Sequence, residues 1–129
     1  MSGIFPVVAQ FCGKPQGLGY VRGNVVAKNP YFPQGMELMG HEFHYSRCRW
    51  EGAAPPHALR LRKGQGMGRE AFATPSETPA AALDGLTFRN VWASYTHIFA
   101  PATACWAHNF TAAARRFAQE GAGMGDCHV

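Results

Sequence analysis

Two kinds of periodicity divide this chain. Period-two alternation of apolar and polar side chains, the mark of a half-buried strand, recurs over its first three quarters; a helical period shows once, near the end. Residues 3–9 predict a short strand, and residues 20–27 a second, interrupted by Gly23. Between them Gly13, Pro15, Gly17 and Gly19 make a turn region, and Asn29-Pro30 and Pro33-Gln34-Gly35 break the second strand. Residues 42–49 predict a third strand. Its alternation puts His41, Phe43 and Tyr45 on one face and Glu42, His44 and Ser46 on the other. Residues 57–62 alternate again, and residues 86–94 are the last strong strand. Residues 64–85 read as a long connection, with Gly64, Gly66 and Gly68 leading into a Pro/Ala/Ser/Thr stretch. The one helix is predicted over residues 101–119. Pro101 suits its first turn, and Arg115 and Arg116 lie toward its C-terminal end. Trp106, Phe110, Ala113 or Ala114, and Phe117 form a stripe expected to pack in the core. Gly121 and Gly123 are expected to end the helix, leaving residues 122–129 as a flexible tail after a domain of residues 1–121.

At 129 residues and 47% hydrophobic, the chain is one domain or part of one, with material for a real core. Only 16% of residues are charged, which excludes a disordered chain. No apolar run approaches the ~20 residues of a membrane helix. No basic stretch followed by an apolar block marks a signal peptide. The expectation is a cytoplasmic protein with no membrane partner. The formal charge is +4, and nine of the twelve basic residues are arginine. Arg47, Arg49, Arg60 and Arg62 fall close together, and the guanidinium fork suits carboxylates and phosphates. No Lys/Arg run or nucleic-acid motif is present, so nucleic acid is not an expected partner. An anionic small molecule, an acidic partner surface and a plain solvated face all fit. Cys12, Cys48, Cys105 and Cys127 form no CxxC pair, which removes zinc-ribbon and thioredoxin readings and leaves reduced thiols.

The candidate chemistry is histidine. His41 and His44 sit in Gly40-His41-Glu42-Phe43-His44-Tyr45-Ser46, and His97 ends Asn90-Val91-Trp92-Ala93-Ser94-Tyr95-Thr96-His97. Imidazole moves protons near neutral pH, so two such segments point to a polar site between strands or at their ends. Glu42 and His44, adjacent polar groups on one strand face, are expected to line it, and His44 is expected to point into the same cleft as His97. His41 reads as a structural residue, and His57 and His108 as packing or surface residues. A metal held by Glu42, His44 and His97 is chemically possible but is not the expectation. Gly64-Gln65-Gly66-Met67-Gly68 resembles a phosphate loop only loosely and lacks its GK[ST] ending. No cysteine or serine occupies a recognisable nucleophile turn.

These segments, in order and together with Lys14-Pro15-Gln16-Gly17-Leu18-Gly19-Tyr20, resemble the C-terminal part of the cobyrinate a,c-diamide synthase family, from about Gly3 to Gln119. The resemblance implies a class I glutamine amidotransferase domain, a flavodoxin-like three-layer α/β fold, here its C-terminal portion only: strand-rich with one C-terminal helix. In that family a Cys on a strand-to-helix turn attacks the glutamine amide and a His near the C-terminus activates it. The ammonia then amidates a carboxylate activated by an ATP-dependent N-terminal domain. His97 matches the activating His, and Glu42 and His44 match a site-lining strand. The family's Glu-Cys-Gly-Gly nucleophile segment is absent from the sequence, the second family His is replaced by Phe99, and residues 74–83 form an insertion. The chain therefore reads as a C-terminal fragment, a split subunit or a truncated gene product, inactive alone. ATP and Mg are expected on the missing N-terminal domain or subunit and no cofactor on this chain. The implied substrates are glutamine and a carboxylate-rich tetrapyrrole, of cobyrinate or siroheme type. The alternative is a non-catalytic tetrapyrrole- or partner-binding module.

Overall fold

A computed structural model describes residues 3–53, 56–69 and 81–123. The strands are β1 (Val7–Phe11), β2 (Gly17–Val25), β3 (Glu37–His44), β4 (Ser46–Trp50), β5 (His57–Lys63), β6 (Gly68–Arg69), β7 (Ala82–Phe88), β8 (Val91–Ala93) and β9 (His97–Ile98). A 3-10 turn, Ala100–Ala102, leads into the helix α1, Cys105–Gly123. The architecture is α/β, strand-rich, with one helix at its C-terminal end. Every strand pairing among the described residues is antiparallel.

The larger sheet runs β6-β7-β5-β2-β3-β9, with β8 also on β7. The smaller is the ribbon β1-β4. The two are continuous in chain: β1 leads to β2 and β3 leads to β4. Cys12 N–H donates to the Tyr45 carbonyl at 2.6 Å, and Gln16 N–H to the His44 carbonyl at 2.8 Å. Tyr45 is thus the break between two strands where the sequence predicts one. Likewise the predicted strand over 86–94 is a hairpin of β7 and β8, turning at Arg89, whose φ of 52° is left-handed. Part of the expected long connection is regular structure: β6 and the start of β7 fall inside residues 64–85. The expected insertion over 74–83 lies mostly outside the described residues.

The core has one side. Val21, Val25, Leu38, Leu59 and Leu61 point inward from β2, β3 and β5. They are covered by Phe32, Trp92 and Ile98. Asn29 shapes the β2–β3 loop: its side-chain carbonyl accepts from Tyr31 N–H (2.9 Å) and Phe32 N–H (2.7 Å), and its amide donates to the Phe32 carbonyl. That turn drives Phe32 inward, 5.0 Å edge-on to Trp92.

Helix α1 corrects an expectation. Its aromatic stripe is not core: Trp106, Phe110 and Phe117 are exposed, the last at 68%, and only Ala113 is fully buried. The helix docks by its first turns, through Cys105 against the core and Asn109 donating to the Tyr31 carbonyl at 2.6 Å. The Phe110 ring meets Tyr31 at 6.0 Å, but among the described residues nothing covers the three aromatic side chains. Helix α1 also begins four residues later than predicted, because Pro101 falls in the 3-10 turn, and it passes through Gly121. Among the described residues, no helix is long and apolar enough to cross a membrane. Of the expected tail, residues 122–129, the first two belong to α1 and the rest lie outside the described residues.

Candidate functional site

Strand β3 presents its two faces to different surroundings. Glu42 is 2% exposed and inward-facing. Its carboxylate accepts backbone N–H from Gln65 (2.6 Å) and Gly66 (2.9 Å), and lies 3.4 Å from His44 Nε2. The glycine loop thus turns its N–H groups onto the protein's own carboxylate, which leaves those two donors occupied rather than open to phosphate. His44 Nδ1 donates to the Ser46 carbonyl at 2.9 Å, and its ring stacks flat on Tyr95 at 3.7 Å. Gly17 faces this pair across β2, and a methyl there would run into His44 Nε2. The Tyr95 hydroxyl bonds Ser46 Oγ at 2.5 Å and receives the Cys48 thiol at 3.8 Å. Burial pushes the Tyr95 phenol up to about 12 and, more modestly, raises the Cys48 thiol. Both groups stay protonated at neutral pH, and a buried thiol is a poor nucleophile. Glu42 and His44 are therefore a satisfied polar clamp beside a cavity of about 360 Å³ lined by His44, Gln16 and Arg47.

His97 lies elsewhere. Strand β9 pairs with β3 in the register Gly40↔Ile98 and His41↔His97. His97 therefore shares the outer face with His41, opposite Glu42 and His44. The expectation that His44 and His97 point into one cleft is wrong, and so is a metal site built from Glu42, His44 and His97. Alternation along β3 does not say which face β9 will join, since that depends on a register set by the loop before it. Instead the His41 and His97 rings meet edge to face at 4.6 Å, both solvent-exposed. Around them the outer face is apolar and open. Leu18 and Tyr20 are 71% and 78% exposed, and Met39, Phe43 and Phe99 are exposed too. The face holds a groove of about 880 Å³. One rim is basic, where Arg22 and Arg62 both pair with Glu37 and Lys63 sits over the Tyr20 ring.

Two residues set the height of His97. Gly40 lets β9 approach, because a methyl there would strike the His97 carbonyl oxygen. Asp84, fully buried in β7, accepts Tyr95 N–H (3.1 Å), Thr96 N–H (2.9 Å) and Thr96 Oγ1–H (2.6 Å). It anchors the segment that ends in His97. Sequence reasoning missed it; the signal was an acid within the apolar run Ala82-Leu83-Asp84-Gly85-Leu86, where an unpaired charge is costly.

The cysteines stay away from this face. Cys12 follows β1 in the separate ribbon, Cys48 lies under Tyr95, and Cys105 touches Met36 in the core. Cys127 is outside the described residues.

No protein-family model and no solved structure matches the chain. Curated relatives do. It is 36% identical over 117 residues to cobyrinate a,c-diamide synthase of Methanothermobacter thermautotrophicus, covering 91% of this chain and 23% of that one. It is 29% identical over 107 residues to the enzyme of that name from Magnetococcus marinus, covering 83% and 20%. It is 32% identical over 91 residues to hydrogenobyrinate a,c-diamide synthase of Agrobacterium fabrum, covering 66% and 20%. The chain thus spans about a fifth of the length of its relatives. With nearly all of its length matched by proteins of one kind, this chain belongs to the cobyrinate a,c-diamide synthase family.

Proposed function

We propose that this chain is the histidine-bearing C-terminal portion of a class I glutamine amidotransferase domain that amidates carboxylates of a tetrapyrrole such as cobyrinate or hydrogenobyrinate. The observation that carries this is the place of His97: exposed, at the open edge of the larger sheet, on an apolar face that nothing in the chain's described residues covers. Strand β9 spans only two residues. In register it pairs with Gly40 and His41 alone, leaving the β3 edge from Glu42 to His44 without a strand partner among the described residues. A further strand ending in a nucleophilic Cys fits beside it, with helices over Leu18, Tyr20 and Phe43. Such additions would convert this antiparallel sheet into one wing of a flavodoxin-like three-layer domain.

In the assembled site His97 takes the proton from the Cys thiol as sulfur attacks the glutamine side-chain amide. It returns that proton to the departing ammonia and then activates the water that hydrolyses the thioester. Ammonia amidates a carboxylate activated with ATP and Mg on the polypeptide corresponding to the relatives' other four fifths. Glu42 and His44 serve as the buried clamp that holds β3 and the Gly64–Gly68 loop in shape.

The test is ammonia release from glutamine. The 129-residue chain alone should release none above background. A chain supplying the Glu-Cys-Gly-Gly segment should restore it, and His97→Ala should then lower it by about 100-fold or more, the usual worth of general acid–base help. Activity from the isolated chain that Cys12→Ala abolishes would overturn the reading. Tight porphyrinoid binding with no glutaminase in any combination would favour a non-catalytic binding module.

A further inference from the structure

We infer that His41 is a positioning residue that holds the His97 imidazole in its working orientation; the inference rests on the amidotransferase reading above. A catalytic ring must stay within about 0.5 Å and 10–20° of its productive pose. Little about His97 provides that. It starts a two-residue edge strand, is exposed, and has no side-chain hydrogen bond among the described residues. Exposed side chains change rotamer within picoseconds to nanoseconds.

What His97 does have is a neighbour in register. His41 sits directly across β3, and the two rings meet at 4.6 Å with an interplanar angle of 63°. Edge-to-face contact suits the charge distribution of aromatic rings and disfavours other orientations. Its geometry is fixed from both sides. Gly40, one residue before His41, admits the β9 backbone at close range, and buried Asp84 holds Tyr95 and Thr96 from beneath. His41 itself belongs to an eight-residue strand paired along its length with β2, where it lies opposite Tyr20. The rigid strand thus lends its order to the short one. The role asks for an aromatic edge or face at position 41, not for a second titrating group. A methyl there would leave His97 free to rotate, while a phenyl ring would keep it in place.

Two measurements decide this. The first uses the full chain alone and reads the His97 ring protons by NMR. His41→Ala should remove their ring-current shift and His41→Phe should keep it; shifts unchanged in His41→Ala would overturn the contact. The second uses the chain with a Glu-Cys-Gly-Gly-bearing partner. His41→Ala should lower kcat for glutamine hydrolysis about tenfold with KM unchanged, since misplacing a catalytic group costs rate rather than substrate binding. His41→Phe should restore kcat to within about twofold. Glutaminase that His41→Ala leaves intact, or that His41→Phe fails to rescue, overturns the positioning role alone. A wild-type pair without glutaminase overturns the amidotransferase reading, and the positioning role with it.

Discussion

A buried carboxylate can be catalytic or can hold a loop, and its partners tell which. Glu42 accepts from two backbone N–H groups and lies 3.4 Å from the His44 ring, so its carboxylate is engaged by protein groups. Glu42→Ala strands those two donors in the interior and should destabilise the fold by about 2–4 kcal/mol. Amide exchange at Gln65 and Gly66 should accelerate with it. Unchanged exchange would mean the loop is held by something else. His57 offers a second test at this scale. Burial pushes its imidazole below the ordinary range, with Asp84 opposing, and its buried Nε2 has no hydrogen-bond partner among the described residues. The unfolded chain therefore takes up the proton before the folded one does. Stability from this group is full above the unfolded value of about 6.5 and is lost as pH falls below it. Melts at pH 7.5 and 5.5 should show that decline in the wild-type chain, and His57→Phe should flatten it. Equal slopes in the two proteins would assign the decline to other groups.

Among the elements, β9 spans only two residues, and it is the one the proposed function depends on. Two residues on a sheet edge cannot hold themselves. They are held by Gly40 beneath them and by Asp84 behind them. Gly40→Ala puts a methyl against the His97 carbonyl and must push β9 outward, at a cost of about 1–3 kcal/mol. Denaturant melts should register that loss. In the same variant the cross-peaks between the His41 and His97 rings should fade. Retained cross-peaks would show that β9 can accommodate the methyl. The exposed stripe of α1 teaches a related lesson. Helical spacing identified a genuine apolar face, but an apolar face needs a second surface to become core, and among the described residues Trp106, Phe110 and Phe117 stay exposed.

Among the described residues, the larger sheet has one covered face and one bare one. Leu18, Tyr20, Met39, Phe43 and Phe99 together form an apolar patch of the kind that marks an interaction surface. Among the described residues, the β3 edge beside it has no strand partner from Glu42 to His44. In isolation the chain should therefore self-associate. Light scattering after size exclusion should give a mass that rises with concentration, and Phe43→Lys should shift it toward monomer. A monomer at every concentration would argue that this face is stable in water and would remove the case for a covering partner. If the nucleophile-bearing chain is the natural cover, its addition should dissolve the self-association.

Much of this protein was legible without a structure, for reasons that are local. Alternation along β3 separated His41 and Phe43 from Glu42 and His44, because successive side chains on any strand point opposite ways. The span 57–62 matched β5 to a residue, since its leucines alternate with arginines. Boundaries slipped where a local signal had two outcomes. Tyr45 bends the chain between two sheets, and Arg89 turns a predicted strand into a hairpin by adopting a positive φ. The order of the motifs was enough for the family, because homology is carried by sequence itself. What only the tertiary structure decided is which groups meet. Joining β9 to β3 in a register that pairs His97 with His41 removed His97 from Glu42 and His44, and burying Asp84 fixed the segment before it. Strand periodicity assigns each side chain a face of its own strand. Which faces come together depends on long-range register and on the loops that set it, and those are properties of the folded chain as a whole.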